Sequence, residues 1–237
     1  MKHLRVIAMI LAILMVASVA MACNNSGDTD ATTTTTTSSK KTTTTLPPPP
    51  DDDLDDEDEQ AETPITGEEF QAWHDSFGRA TIIEYTTDLT PFKDEEGIEY
   101  LFDGKDGCIN ADEAFTKLAG NTAGGETSIT VTVAPGTKLV AYSFVTANDS
   151  SQFKRTPSMW TVYATNVDPA TATEEDWVVI DDVYEGSLED VDNTPYGYTV
   201  DEDKQGEYQY YKFTFTFGVA YTLSQLQFNE MYLYIPA

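Results

Sequence analysis

The chain has 237 residues, with 41 acidic against 13 basic side chains and a net charge of −28 at neutral pH. A surplus of that size excludes a nucleic-acid binder, which needs Lys and Arg to displace counterions from phosphates. It also excludes electrostatic docking on anionic lipid, and it suits solubility, cation binding and neutral partners.

In chain order, Lys2, His3 and Arg5 precede an apolar run from Val6 to Ala22. The run is short and closes on small residues, so residues 1–22 read as a secretory signal peptide. Cys23 follows Ala20-Met21-Ala22 and resembles the acylated cysteine of a bacterial lipobox, with Ala20 where that motif usually has Leu. The resemblance implies an extracytoplasmic protein anchored by lipid to the bacterial cell membrane and displayed at the cell surface. Each buried methylene of such an anchor contributes about 0.8 kcal/mol. With Cys23 acylated, Cys108 is left alone and no intrachain disulfide is expected, so the exported domain needs a substantial hydrophobic core.

Residues 23–63 read as a disordered linker. Thr32 to Thr45 is nearly all Thr, Ser and Lys, Pro47 to Pro50 follow, and Asp51 to Glu59 holds eight carboxylates in nine residues. None of this can bury apolar area. Prolines and mutually repelling carboxylates stretch the tether.

Residues 64–237 are expected to form one domain. Thr66-Gly67-Glu68-Glu69 has capping-box spacing. Phe70, Trp73 and Phe77 then share one face of a short helix that Gly78 ends. A stripe of this kind packs on a core more often than it forms a ligand platform from Trp73 and His74. Beyond it the periodicity is two. Thr81 to Thr86, Ile129 to Val133, Val140 to Val145 and Trp160 to Ala164 read as strands, as do Trp177 to Ile180, Tyr211 to Phe217 and Leu226 to Ile235. Turn formers such as Asn148, Asp149, Ser150 and Ser151 separate them. In the last strand the apolar phase slips at Asn229-Glu230, as a β-bulge would produce, and Glu230 beside a core calls for a cation or a strong donor. The pattern is that of an all-β sandwich or barrel.

LFDG at Leu101 to Gly104, YSFVTAND at Tyr142 to Asp149, R-x-P-x-x-W at Arg155 to Trp160 and VYATN at Val162 to Asn166 stand in this order. DWVVID at Asp176 to Asp181, YQYYKFTFT at Tyr208 to Thr216 and LQFNEMYLY at Leu226 to Tyr234 continue it. The ordered set resembles the discoidin, or coagulation-factor type C, domain of the galactose-binding-like superfamily. The resemblance implies a jelly-roll β-sandwich and, for bacterial members, carbohydrate binding. It further implies a structural calcium held by the Asp103 and Glu230 carboxylates and the Tyr100 and Asn229 carbonyls. Lys105 stands where the family often has Asp or Asn. Either Asp106 replaces that ligand, or the Lys105 ammonium takes the place of the ion.

For a sugar, the candidate platforms are aromatics in turn-rich segments: Phe153, Tyr184, Tyr196 and Tyr198. Asp182, Glu185 and Asp192 are near enough in sequence to bond its hydroxyls. Trp160 and Trp177 are assigned to the core, Asp149 and Arg155 to a loop-locking ion pair, and Tyr184 to Tyr208 to a solvated acidic loop. No nucleophile elbow, zinc motif or phosphate loop is present. The sequence therefore points to a non-catalytic binder of carbohydrate, or to a surface component that binds protein.

Overall fold

A computed structural model describes residues 63–109, 115–122, 125–184, 188–216 and 225–237. The signal peptide, Cys23, the linker up to residue 62, Glu185 and Phe217 lie outside the described residues.

Period-two sequence becomes strand throughout. In β5 (Glu126–Lys138), Thr127, Ile129, Val131 and Val133 are buried, while Ser128, Thr130 and Thr132 look outward. It pairs antiparallel with β2 (Ile82–Thr87) and with the central β10 (Glu207–Thr216). Beyond β10 come β7 (Met159–Thr165) and the edge strand β8 (Val178–Val183), which completes a five-stranded sheet in the order β2-β5-β10-β7-β8.

The facing sheet has the order β1-β12-β6-β9, from β1 (Gly78–Arg79), β12 (Glu230–Ile235), β6 (Ala141–Val145) and β9 (Pro195–Thr199). A small sheet of β3 (Thr90–Pro91), β4 (Leu118–Asn121) and β11 (Gln225–Phe228) closes one end. Their inner faces meet in one aromatic core. Phe144 packs on Trp160 and Phe215 from the opposite sheet and stacks on Phe228 from the small one, at 5.6, 5.6 and 4.8 Å between ring centroids. The Trp160 indole donates to the Tyr142 hydroxyl at 2.8 Å, and that hydroxyl donates to Asp181 at 2.7 Å. Every polar group in this relay is thereby satisfied.

Every residue of β6 is buried, on both faces. Helix α1 (Glu68–Asp75) covers the outer face, with Phe70 and His74 buried and Trp73 and Phe77 packed against Tyr234. Trp73 seats on Gly197, where a Cβ would come within 2.3 Å of the indole, so only glycine lets the helix approach this closely. The helix thus packs on the domain and forms no ligand platform. Its capping box does not form. Gly67 is the N-cap without a side-chain bond, and the Thr66 hydroxyl instead donates to the Pro195 carbonyl, which fastens the helix to β9.

Three further expectations change. The phase slip at Asn229 is a change of sheet: β11 belongs to the small sheet and β12 to the four-stranded one, while the Asn229 amide still bonds Val145. Trp177 is half-exposed, and Val178 and Val179 are exposed, because β8 is an edge strand that gives only Ile180 and Val183 to the core. Between Tyr184 and Tyr208 lies β9, hydrogen-bonded to β6, where a solvated loop was expected.

Candidate functional site

At the end of the sandwich closed by the small sheet, three chain segments converge. The four-residue helix α2 (Ser150–Phe153) ends on Lys154 in a left-handed conformation, and this turn sends Arg155 back over the sheet. The guanidinium donates to Gln225 at 2.9 Å and to Gln227 at 3.3 Å, side chains that alternate with the core residues Leu226 and Phe228. Its carbon sits 4.6 Å from the centre of the Phe92 ring and 4.3 Å from that of Phe153. Both rings remain more than a third exposed. The result is an aromatic rim held open by a cation between its two halves.

Asp149 does not pair with Arg155. Its Oδ2 takes the Lys117 ammonium at 2.7 Å, and Lys117 also reaches Glu96 at 3.9 Å with only 13% of its side chain exposed. Arg155 is instead spent on the two glutamines and two rings. Asp149 Oδ1 and the neighbouring Asn148 Oδ1 are buried acceptors without a hydrogen-bond partner among the described residues. Asn121 accepts from Gln225 at the rim's other side. Asp192 accepts both the backbone amide and the hydroxyl of Ser151, which pins the start of α2. An exposed ring face can pack on the C–H face of a pyranose, and amides and a carboxylate beside it can bond hydroxyls.

Of the four aromatics expected to contact a ligand, the rim holds Phe153. Tyr196 and Tyr198 are only 3% and 1% exposed and cannot present a ring face. As part of β9 they point into the core, where Tyr198 stacks on Tyr142 at 5.3 Å. Tyr184 is 63% exposed just past β8, and Asp182 accepts from the Thr161 hydroxyl on the outward side of that strand. Phe92, Lys117, Asn121 and Gln225 were not singled out from sequence. The one available signal was Phe92 following a Thr-Pro pair, a turn-borne aromatic like Phe153.

The residues implied for calcium form a second locus. Asp103 accepts the Thr116 hydroxyl on both oxygens and the Lys105 amide at 3.0 Å, and the Lys105 ammonium lies 3.5 Å away. Glu230, 1% exposed, accepts the Gly104 amide at 2.9 Å. Burial, with Asp103 and Asp106 nearby, pushes its carboxyl up to about 9. Asp106 is committed elsewhere: Oδ1 takes the Cys108 and Ile109 amides and Oδ2 the Tyr232 hydroxyl. The Asn229 side chain bonds the Asp106 carbonyl and Asn193. Tyr100 lies in a 3₁₀ turn, Ile98–Leu101, with its amide on Gly97. No group of three acidic, His or Cys side chains converges among the described residues. Calcium takes six to eight oxygens, and among the described residues the Asp103 and Asp106 side chains are already engaged. The Asp106 oxygens turn to amides and a phenol, and an ammonium stands on Asp103. The Cys108 thiol beside it is pushed up to about 12 by burial and the Asp106 charge, which makes it a poor nucleophile.

Solved structures share this architecture. That of the CBM32-1, CBM32-2 and M60 catalytic domains of Clostridium perfringens ZmpB superposes with a TM-score of 0.52 at 14% identity, over 74% of this chain and 17% of that one. The CBM32-1 and CBM32-2 domains without the catalytic domain give 0.51 at 13% identity, over 74% and 43%. The same two domains in complex with GalNAc give 0.51 at 14%, over 73% and 40%. The fold is the galactose-binding-like, or discoidin-like, β-sandwich. No family model and no curated protein matches the sequence. This chain spans less than half the length of those solved chains, and the likeness is one of fold.

Proposed function

We propose that the domain is a non-catalytic carbohydrate-binding module, held at the outer surface of a bacterial cell by a lipid on Cys23 and by the 23–63 linker. The observation that carries the reading is the rim: half-exposed Phe92 and Phe153 around Arg155, with Asp149, Asn148, Gln225 and Asn121 beside them. Its support from outside the chain is that the structures sharing the fold include carbohydrate-binding modules, one of them solved with GalNAc. Among the described residues the rim presents no activated nucleophile. His74, the one histidine of residues 64–237, is buried under α1 against Tyr234 and has no access to a ligand there.

Binding of the intact domain to a glycan array tests the reading. Saturable binding that falls at least tenfold in Phe153→Ala is expected, the loss of about 1.4 kcal/mol. A silent array together with a co-purifying surface protein would replace the sugar with a protein partner. The anchor is checked by detergent partitioning, where Cys23→Ser should move the protein from the detergent to the aqueous phase.

At the Asp103–Glu230 locus the Lys105 ammonium takes the place of a calcium ion on Asp103, and the Gly104 amide meets Glu230. Titration of chelator-treated protein with Ca²⁺ should then give no heat and no rise in melting temperature. A saturable signal would restore the metal to Asp103 and Glu230.

A further inference from the structure

The outward face of the five-stranded sheet is not flat. Its β5 loses register with both neighbours at one level, against β2 between Ile82 and Glu84 and against β10 between Tyr208 and Tyr210. Against β10 the surplus residues lie on β5 and include Pro135 and Gly136, the latter at φ 77°, whereas against β2 the extra residue is Ile83 of β2. Paired irregularities of this kind bend a sheet and re-aim side chains. They open a cleft of about 580 Å³, within the size range of ligand sites.

The cleft is built from three strands and one loop. Across its floor Glu84 of β2, Thr132 of β5 and Tyr210 of β10 lie in register, and Thr86 and Thr130 form the next rung. The far wall is the turn after β7, where the Asp168 carboxylate accepts the Ala170 amide and its carbonyl accepts the Thr171 and Ala172 amides. Asn166 fixes the floor by donating to the Glu207 carbonyl and accepting the Gln209 amide. The site is thus held by main-chain bonds before any ligand arrives. Beyond Tyr210 the polar strip continues: Lys212 lies opposite Thr130 and Tyr163 in register, and its ammonium sits 4.8 Å from the Tyr163 ring and 4.3 Å from that of Trp177. From β2 to β8 there are four strand spacings, roughly 19 Å, which is room for several pyranose rings in a row.

Charge selects the occupant. Glu84 and Asp168 stand on opposite sides of the cleft, on a chain of net charge −28. Among the described residues the cation next along the strip, Lys212, is already covered by two rings. A polyanionic chain would meet unpaired carboxylates, at a cost, whereas sugar hydroxyls can donate to them.

The geometry points to a second glycan site, separate from the rim, that takes an uncharged polysaccharide chain laid across β2, β5 and β10. Tyr210 stacks on a pyranose ring, while Glu84, Asp168 and the threonine hydroxyls bond the chain. This rests on the reading of the domain as a carbohydrate binder. It adds that the domain grips the interior of a chain.

The test is affinity electrophoresis of the whole domain through gels containing neutral soluble glucan, mannan, xylan or galactan, with polygalacturonate and alginate as anionic counterparts. At least one neutral polymer should retard the wild type and the anionic ones should not. Tyr210→Ala should weaken retardation at least tenfold. So should Ala170→Trp, which fills the cleft from an exposed turn without touching the sheet and covers the case in which the strand variant fails to fold. Retardation equal in wild type and Ala170→Trp overturns the cleft while array binding at the rim still stands. Retardation by the anionic polymers, relieved by Ala170→Trp, overturns the uncharged ligand. A wild type that binds neither array nor any polymer overturns the carbohydrate reading, and the cleft with it.

Discussion

Phe144→Ala is expected to destabilise the domain by about 4 kcal/mol, the middle of the range for emptying a large aromatic site. Phe144 is fully buried and contacts six other rings: Tyr142, Trp160, Tyr198, Phe213, Phe215 and Phe228. Those rings belong to all three sheets, so no single strand can shift to fill the space. The loss combines the transfer free energy of the phenyl ring with a cavity whose walls are held by backbone ladders. For a domain of this size the melting temperature should fall by roughly 8 to 16 °C. Thermal unfolding followed by near-ultraviolet circular dichroism measures it. Phe153→Ala, on the rim, should cost less than about 1 kcal/mol, since surface truncations rarely cost more. A loss below about 1 kcal/mol for Phe144→Ala would mean that the three sheets do not share one core.

The second large effect is a pH dependence set by His74. The imidazole is 6% exposed between α1 and the four-stranded sheet. Its Nδ1 lies 2.7 Å from the Tyr234 hydroxyl, which is 2.8 Å from Ser143. Burial holds its pKa down to about 4, helped by the Arg79 guanidinium and opposed by Asp75 and Asp106. In the unfolded chain it titrates near 6.5. Between about pH 6.5 and pH 4 the unfolded state therefore binds a proton that the folded state refuses. Stability is full above this window and falls as the pH drops through it. The contribution lost between pH 7 and pH 4.5 is about 2 kcal/mol. Urea unfolding at the two pH values, for wild type and His74→Gln, isolates it from the carboxylates, which both proteins share. A pH dependence unchanged by the substitution would show that the helix tolerates a charged imidazole.

Much of the domain could be read before it was seen. The alternation in Tyr211, Phe213 and Phe215 and in Ile129, Val131 and Val133 placed those side chains on a buried face, and all six are 0% exposed. Alternation states that a strand has two faces. It does not state what covers each one. Ala141, Ser143 and Val145 alternate with Tyr142 and Phe144, yet both faces of β6 are buried. Trp177 read as core and is half-exposed, while Tyr196 and Tyr198 read as surface platforms and are buried. Edge position exposes the first, and pairing of β9 with β6 buries the other two.

The sites were harder to see because their parts are far apart in the chain. Arg155 meets Gln227 across 72 positions, and Asn229 meets Asp106 across 123. Local pattern carries no information about such pairings, which are settled only when the ladders align. Phe153 could be found because a turn exposes it. Its partner Phe92 and the glutamines under Arg155 could not. The outward threonines and Tyr210 looked like ordinary solvated strand until two register breaks bent the sheet beneath them.

Residue order alone was enough to specify alternating strands with an apolar side and a surplus of negative charge, because each of these is a property of neighbouring residues. Which side of each strand meets water, which carboxylate meets which cation and where the surface is hollow depended on how distant segments close over one another. Burial and electrostatic pairing act through space, and their outcome exists only once the sheets have packed.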